Sequence, residues 1–301
     1  MINMKREVKG TIFAILAAII SGFSIPINKI FVVNLDPLVF TALRSLVIGI
    51  AFFVIFHFSH KHAKIKTNRK YLALIAIIGG AIAFLLFFTG LKLTTAGRGA
   101  FLQKTMPIYI AIFAFLFLKE RISKKHLYSL LLMIIGMIII FYSDIIPTQL
   151  WLNPSLGDFL VIIATVLWAL ESVIARKVMI KGENNFFVSF VRMFFGGIIL
   201  FALALFLGKY DALISLNSQQ IINVSVSTII LFGYVFFWYL SLKLINASKA
   251  SSLLLIAPVI SLLLGIIILK EPFSSIQLIG SALILIGAYF VSNIKSELQN
   301  I

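Results

Sequence analysis

The chain has no cysteine, so disulfides, thiolate metal sites and cysteine nucleophiles are excluded. Charge is scarce as well. Of the 301 residues 12% are charged, only 10 of them acidic against 26 lysines and arginines, while 61% are hydrophobic. A soluble domain is not built from that balance, and the bilayer is the expected solvent. The four histidines offer no site either. His57, His60 and His62 resemble a metal cluster but fall in a basic stretch after the second apolar segment, where a solvated connector is the better reading. There is no Walker loop, zinc-helix motif or histidine–carboxylate constellation. No cofactor or metal is expected, and the absence of a catalytic constellation argues against an enzyme. The chain alone is not expected to use ATP.

An apolar helix needs roughly 20 residues to cross about 30 Å of hydrocarbon. Ten stretches satisfy this: 11–31, 38–57, 71–91, 99–118, 126–143, 157–177, 186–207, 221–242, 250–269 and 275–293. The first follows Lys5, Arg6 and Lys9 and imitates a signal peptide, but with no soluble domain after it, it reads as the first span. The connections are short, about a dozen residues at most, so no separate domain hosts other chemistry. The expected fold is an all-α membrane protein with ten transmembrane helices.

The net charge of +16 would suggest nucleic acid in a soluble protein. Its distribution argues otherwise. The segments before span 1 and after spans 2, 4, 6, 8 and 10, together with Arg176 and Lys177 at the adjoining end of span 6, hold 18 of the 26 basic residues; the other connections hold Lys92, Arg98, Lys209 and Lys270. By the positive-inside rule both termini are expected in the cytoplasm and the protein in the plasma membrane. The basic loops are then a surface for anionic lipid headgroups, and nucleic acid is not an expected partner.

Residues 91–136 recur 151 positions later without a gap. Leu91-Lys92-Leu93 returns as Leu242-Lys243-Leu244, Pro107 as Pro258, Leu118-Lys119-Glu120 as Leu269-Lys270-Glu271, Ser123 as Ser274 and Gly136 as Gly287. Apolar matches arise by chance in such a composition, so the Pro, Lys-Glu, Ser and Gly carry the weight. Earlier spans fit at an offset of 148, with Arg44 matching Arg192 and Gly49 matching Gly197. Two repeats of five spans are expected, over 1–147 and 148–301. Because five is odd, the second copy is inverted, which places Lys119-Glu120 and Lys270-Glu271 on opposite faces. Inverted copies can exchange conformations around a shared midplane site, the geometry of a transporter.

These features together resemble the EamA-type branch of the drug/metabolite transporter superfamily. The resemblance is carried by the ten spans, the prolines midway along spans 4 and 9, and the Leu-Lys-Glu and Ser of each hairpin. Gly136, Gly287 and Trp168-Ala169 complete it. It implies a metabolite carrier, often an exporter of amino acids or related compounds, with a central cavity contributed by both halves. Spans 1, 3, 4, 6, 8 and 9 are expected to form that cavity.

Pro107 and Pro258 each leave a carbonyl without its helical partner, at Gln103 and Leu254. In lipid such backbone is tolerated against protein or a wet cavity, so spans 4 and 9 are expected to line the path. Gln103, Thr105 and Tyr109 supply polar groups around the first proline; Ser251 and Ser252 lie near the second. Glu171, deep in span 6, needs a partner or a proton. It could carry a coupling proton or bind a substrate ammonium group, or it could pair with Lys104, Arg44 or Lys29. Lys104 is Leu255 in the other half, and that asymmetry suits substrate choice, against snorkelling as the alternative. Lys29 shares the ambiguity, with Ser24 and Asn28 on the adjacent turn.

The recurrence of Arg44 and Arg192 favours helix bracing over ligand contact. Glu120 and Glu271 read as structural, ahead of the N-caps Ser123 and Ser274. Trp168 and Trp238 rank first for an aromatic wall, ahead of Phe87, Tyr234 and Tyr239. Ala14, Ala18 and Gly22, Gly79 with Gly80, and Gly196 with Gly197 read as close helix contacts.

The expected substrate contacts are thus Lys104, Gln103, Glu171, Trp168 and Trp238, with Tyr109, Asn28 and Ser251. The expected partner is a small organic molecule, its movement coupled to protons in one version. The rivals are a proton-coupled exporter of organic cations, an intramembrane enzyme and a receptor or scaffold.

Overall fold

The computed structural model describes residues 2–32, 35–59, 68–142, 150–268 and 274–296. His60, His62, Lys270 and Glu271 lie outside them, as does the side chain of Lys29. Ten principal helices follow in order: α1 Ile2–Val32, α2 Pro37–Ser59, α3 Arg69–Leu93, α4 Gly97–Leu118, α5 Lys124–Ile140, α6 Leu156–Ile180, α7 Asn185–Phe206, α8 Ser218–Leu244, α9 Ala247–Ile267 and α10 Ser275–Ser292. A short helix, Tyr210–Ile214, precedes α8. Among the described residues nine helices are long and apolar enough to cross a membrane. The tenth, α5, has 17 residues and packs against α10.

The helix starts follow their caps. Ser123 accepts from the His126 amide at 3.2 Å, and Ser155 and Asp158 form a reciprocal capping box at α6. The Ser274 amide donates to Gln277 Oε1 at 3.0 Å. Lys119, with φ 55°, ends α4 in the left-handed conformation and lets the Glu120 amide return to the Ala114 carbonyl at 3.1 Å.

The packing repeats as the sequence does. Helix α3 packs on α6 as α8 packs on α1; α4 packs on α6 as α9 packs on α1. Three pairs, α2 with α7, α4 with α9 and α5 with α10, map onto themselves. Exchanging every helix for the one five places away leaves these pairings unchanged, as two inverted five-helix repeats require. Backbone meets backbone where α3 crosses α7 and at the self-paired α5–α10 seam. A Cβ built on Gly80 would sit 2.0 Å from the Arg192 carbonyl oxygen, and one on Gly136 would sit 2.5 Å from that of Gly280. These approaches exclude any side chain.

Both prolines interrupt their helices one turn early, as the lost carbonyl acceptors dictate. Helix α4 breaks at Lys104 and Thr105, just before Pro107, and α9 tightens to a 3₁₀ turn over Leu254–Ile256, just before Pro258. A second irregularity has no proline. Wide π-helical turns occupy Ile75–Ile82 in α3 and Val191–Phe195 in α7, and they pack against each other. Such turns free backbone groups for other partners.

Candidate functional site

The proline break in α4 and the π-helical turn of α7 both open onto one cavity between the repeats, of about 900 Å³ with its mouth included. Ten of its twenty described lining residues form repeat-related pairs: Ser21 with Ser172, Phe87 with Trp238, Gln103 with Leu254 and Lys104 with Leu255 at the offset of 151, and Arg44 with Arg192 at 148. The cavity therefore sits on the axis that relates the halves. Helices α1, α3, α4, α6, α8 and α9 contribute, as expected; α2 and α7 contribute too, each through its arginine.

One wall is polar. Lys104 donates to Ser21 Oγ at 2.8 Å, and Asn28 donates to Ser24 Oγ at 2.9 Å. Arg44 donates to Asn28 Oδ1 at 3.2 Å and to Ser227 Oγ. Its guanidinium lies over the Phe40 ring at 4.1 Å and the Phe88 ring at 4.9 Å, contacts that help offset its removal from water. Arg44 Nε has no hydrogen-bond partner among the described residues. A second wall is aromatic. Trp168 sits 5.1 Å from Phe84 and 5.0 Å from Phe87 and donates to the Gly79 carbonyl at 3.2 Å. Trp238 stacks on Tyr234 at 6.3 Å and donates to Ser172 Oγ at 3.3 Å.

Glu171 is fully buried, but behind this wall rather than in it. Its partner is Arg192, at 3.6 Å between Nε and Oε2, with Tyr239 donating to Oε1. The expectation of Lys104, Arg44 or Lys29 as partner is corrected. The π-helical turns bring α3 and α7 together beside α6, and Gly79 makes the room: its Cβ would fall 2.2 Å from Glu171 Cγ. Of the other expected contacts, Lys104, Gln103, Trp168, Trp238 and Asn28 line the cavity; Tyr109 and Ser251 do not. Tyr109 packs on the apolar core, and Ser251 donates to the Ser248 carbonyl at 3.0 Å.

Two repeat-related ion pairs are among those that escaped the sequence reading. Arg98 of α4 pairs with Asp158 of α6, which also accepts from Thr94 Oγ1 at 2.6 Å. At the other end Lys249 of α9 pairs with Glu7 of α1 at 2.7 Å. The residues of one pair lie 151 positions from those of the other, so the repeat places equivalent clasps on opposite faces, and the same offset could have revealed them. A third assembly has no such double among the described residues. On the face bearing the N-terminus Arg176 donates to Glu120 Oε1 and the Leu242 carbonyl, both at 2.5 Å, to the Ile245 carbonyl, and to Asn246 Oδ1 at 3.2 Å. Glu120 also accepts from the Ala247 amide at 3.2 Å and from Ser248 Oγ at 3.2 Å. The ends of α4, α6 and α8 are thus tied to the start of α9, and the position matching Arg176 in the first half is Ile25.

A helical membrane bundle of two inverted repeats, with a cavity at their seam and clasps on both faces, is a carrier architecture. The profile of the EamA-like transporter family matches residues 8–142 and 155–293, and the chain belongs to that family. It is 30% identical to an uncharacterized transporter of Archaeoglobus fulgidus, over 85% of this chain and 89% of the relative. It is 28% identical to an uncharacterized transporter of Methanothermobacter thermautotrophicus, over 95% and 87%. A solved crystal structure superposes with a TM-score of 0.76 over 96% of this chain and 99% of its own, at 17% identity, a likeness of fold.

Proposed function

We propose that this chain is a secondary transporter of small organic metabolites that works by alternating access. The observation that supports it most is the cavity lined by repeat-related residues, because a site on the inversion axis is reached equivalently from either face when the two halves exchange conformations. The relatives, named as transporters, support transport over catalysis as the activity. Amino acids and related compounds are the substrate class that the family resemblance favours, with export as the direction. The basic loops favour a plasma-membrane location with both termini in the cytoplasm. The two halves, 1–147 and 148–301, would move as bundles, with the Arg98–Asp158 and Lys249–Glu7 clasps opening alternately.

The electrostatics argue against an exporter of organic cations. Arg44, Lys104 and Arg192 face the cavity, and no carboxylate is among its described lining residues. Glu171 is engaged by Arg192 and Tyr239, which makes structural pairing a better account of it than proton carriage.

Reconstitution into liposomes with a panel of labelled amino acids tests the reading. A carrier gives saturable uptake that is accelerated by unlabelled substrate on the far side. Uptake linear in concentration and indifferent to the far side would indicate a channel and end the proposal.

A further inference from the structure

Two of the cavity's cations have no opposite charge within ion-pair reach among the described residues. Lys104 is held by the neutral Ser21 hydroxyl, and Arg44 by the neutral groups of Asn28 and Ser227. Both side chains are buried, and Arg44 keeps an unpartnered Nε. The other pairs in the core show what this fold does elsewhere: Arg98, Arg176, Arg192 and Lys249 each face a carboxylate. Burying a cation is costly unless a counter-charge compensates it, so a site that keeps two such cations toward an open cavity is built for a charge that arrives with the substrate.

We infer that the cavity selects substrates of net negative charge, their carboxylate or phosphate taken by Lys104 and Arg44. This rests on the carrier reading and narrows it: a neutral zwitterion would need an acidic group for its ammonium, and Glu171 is already engaged behind the wall. Arg44 offers a planar donor fork and Lys104 a compact charge, a combination suited to an oxyanion with several acceptor oxygens. Trp168 and Trp238 line the same cavity and can pack against the substrate's carbon skeleton.

Matched probes isolate charge from shape. In chloride-free buffer, the thermal stability of the purified full-length chain is measured with glutamate against glutamine, and with glycerol 3-phosphate against glycerol. The account expects the anion of at least one pair to stabilise the protein and its neutral mate to do so far less. A response to glutamate identifies carboxylate as the ligand group, and a response to glycerol 3-phosphate identifies phosphate. Lys104→Gln should weaken the responding anion by at least about tenfold, the loss of one charge-assisted contact, and Lys104→Arg should restore most of it. Equal response to both members of each pair, or stabilisation by tetraphenylphosphonium instead, overturns the inference. Liposome flux separates the two levels. Flux of glutamine without any anion preference would sink the anion site and leave the carrier, whereas anion-selective binding without flux of any probe would do the reverse.

Discussion

Replacing Arg176 by Gln should unlatch the face that bears the N-terminus. The guanidinium gathers a carboxylate from the end of α4 and two backbone carbonyls and an amide oxygen from the α8–α9 corner, and its side chain and that of Glu120 are 6% and 3% exposed. Removing one partner of a buried pair costs about 3–5 kcal/mol, because the other charge is stranded. That cost applies only while the face stays closed; once it opens, water reaches Glu120. The closed-to-open equilibrium should therefore shift by up to about 3 kcal/mol, roughly a hundredfold in population. The cysteine-free chain makes this measurable. A single Ser172→Cys, deep in the cavity lining, is labelled by a membrane-impermeant maleimide applied to the N-terminal face. Arg176→Gln should raise that labelling rate by one to two orders of magnitude, about the population shift. Labelling unchanged in a monodisperse, folded Arg176→Gln variant would refute the latch.

Gly80→Ala should destabilise by about 1–3 kcal/mol, since its Cβ meets Arg192 backbone rather than a movable side chain. Gly233→Ala, which meets only Ile20 Cδ1 at 3.2 Å, should cost little; thermal unfolding of the two variants gives the comparison. Glu171→Gln should lower stability by about 3–5 kcal/mol by stranding Arg192, and adding Arg192→Gln should recover part of that loss. If the double variant is no better than the single one, the pair is not the reason Glu171 is there. Asp36, in the connection before α2, makes a pH test. Partial burial raises its carboxyl pKa, but the Lys209 hydrogen bond and charge and the Val39 and Leu38 amides outweigh this and hold it below the ordinary 3.8. The contribution is present above that ordinary value and lost as pH falls through the lowered one. At this partly exposed site it is about 1 kcal/mol at most, so Asp36→Asn should remove only a small acid-side loss of stability.

The repeat and the span count were legible because polar residues at fixed offsets survive in an apolar background where little else is informative. The helix interruptions were legible from proline chemistry, down to the turn in which they fall. Lys104, Gln103, Asn28, Trp168 and Trp238 reach the cavity for the reason that singled them out: a polar or amphipathic group in mid-span needs an interior partner. Rotation about the helix axis was not legible. Tyr109 lies two residues past Pro107, about 200° around the helix, and faces the core. Ser251 lies about one turn before Leu254 and Leu255 and bonds to its own backbone instead. Recurrence of Arg44 and Arg192 points to bracing, and Arg44 does bond to α1 and α8 and Arg192 to α6; that both also line the cavity is not announced by the recurrence. The partner of Glu171 depended on the π-helical turns of α3 and α7, which no local residue pattern announces.

The account depends most on the inversion of the halves, and one topology measurement reaches it directly. Cysteines are introduced singly at Lys119 and at Ser274, at the repeated hairpins, and labelled in sealed vesicles of known orientation with an impermeant maleimide. The account predicts that the two react from opposite faces of the membrane. Reaction of both from the same face would contradict the inverted arrangement, and with it the shared cavity and the paired clasps.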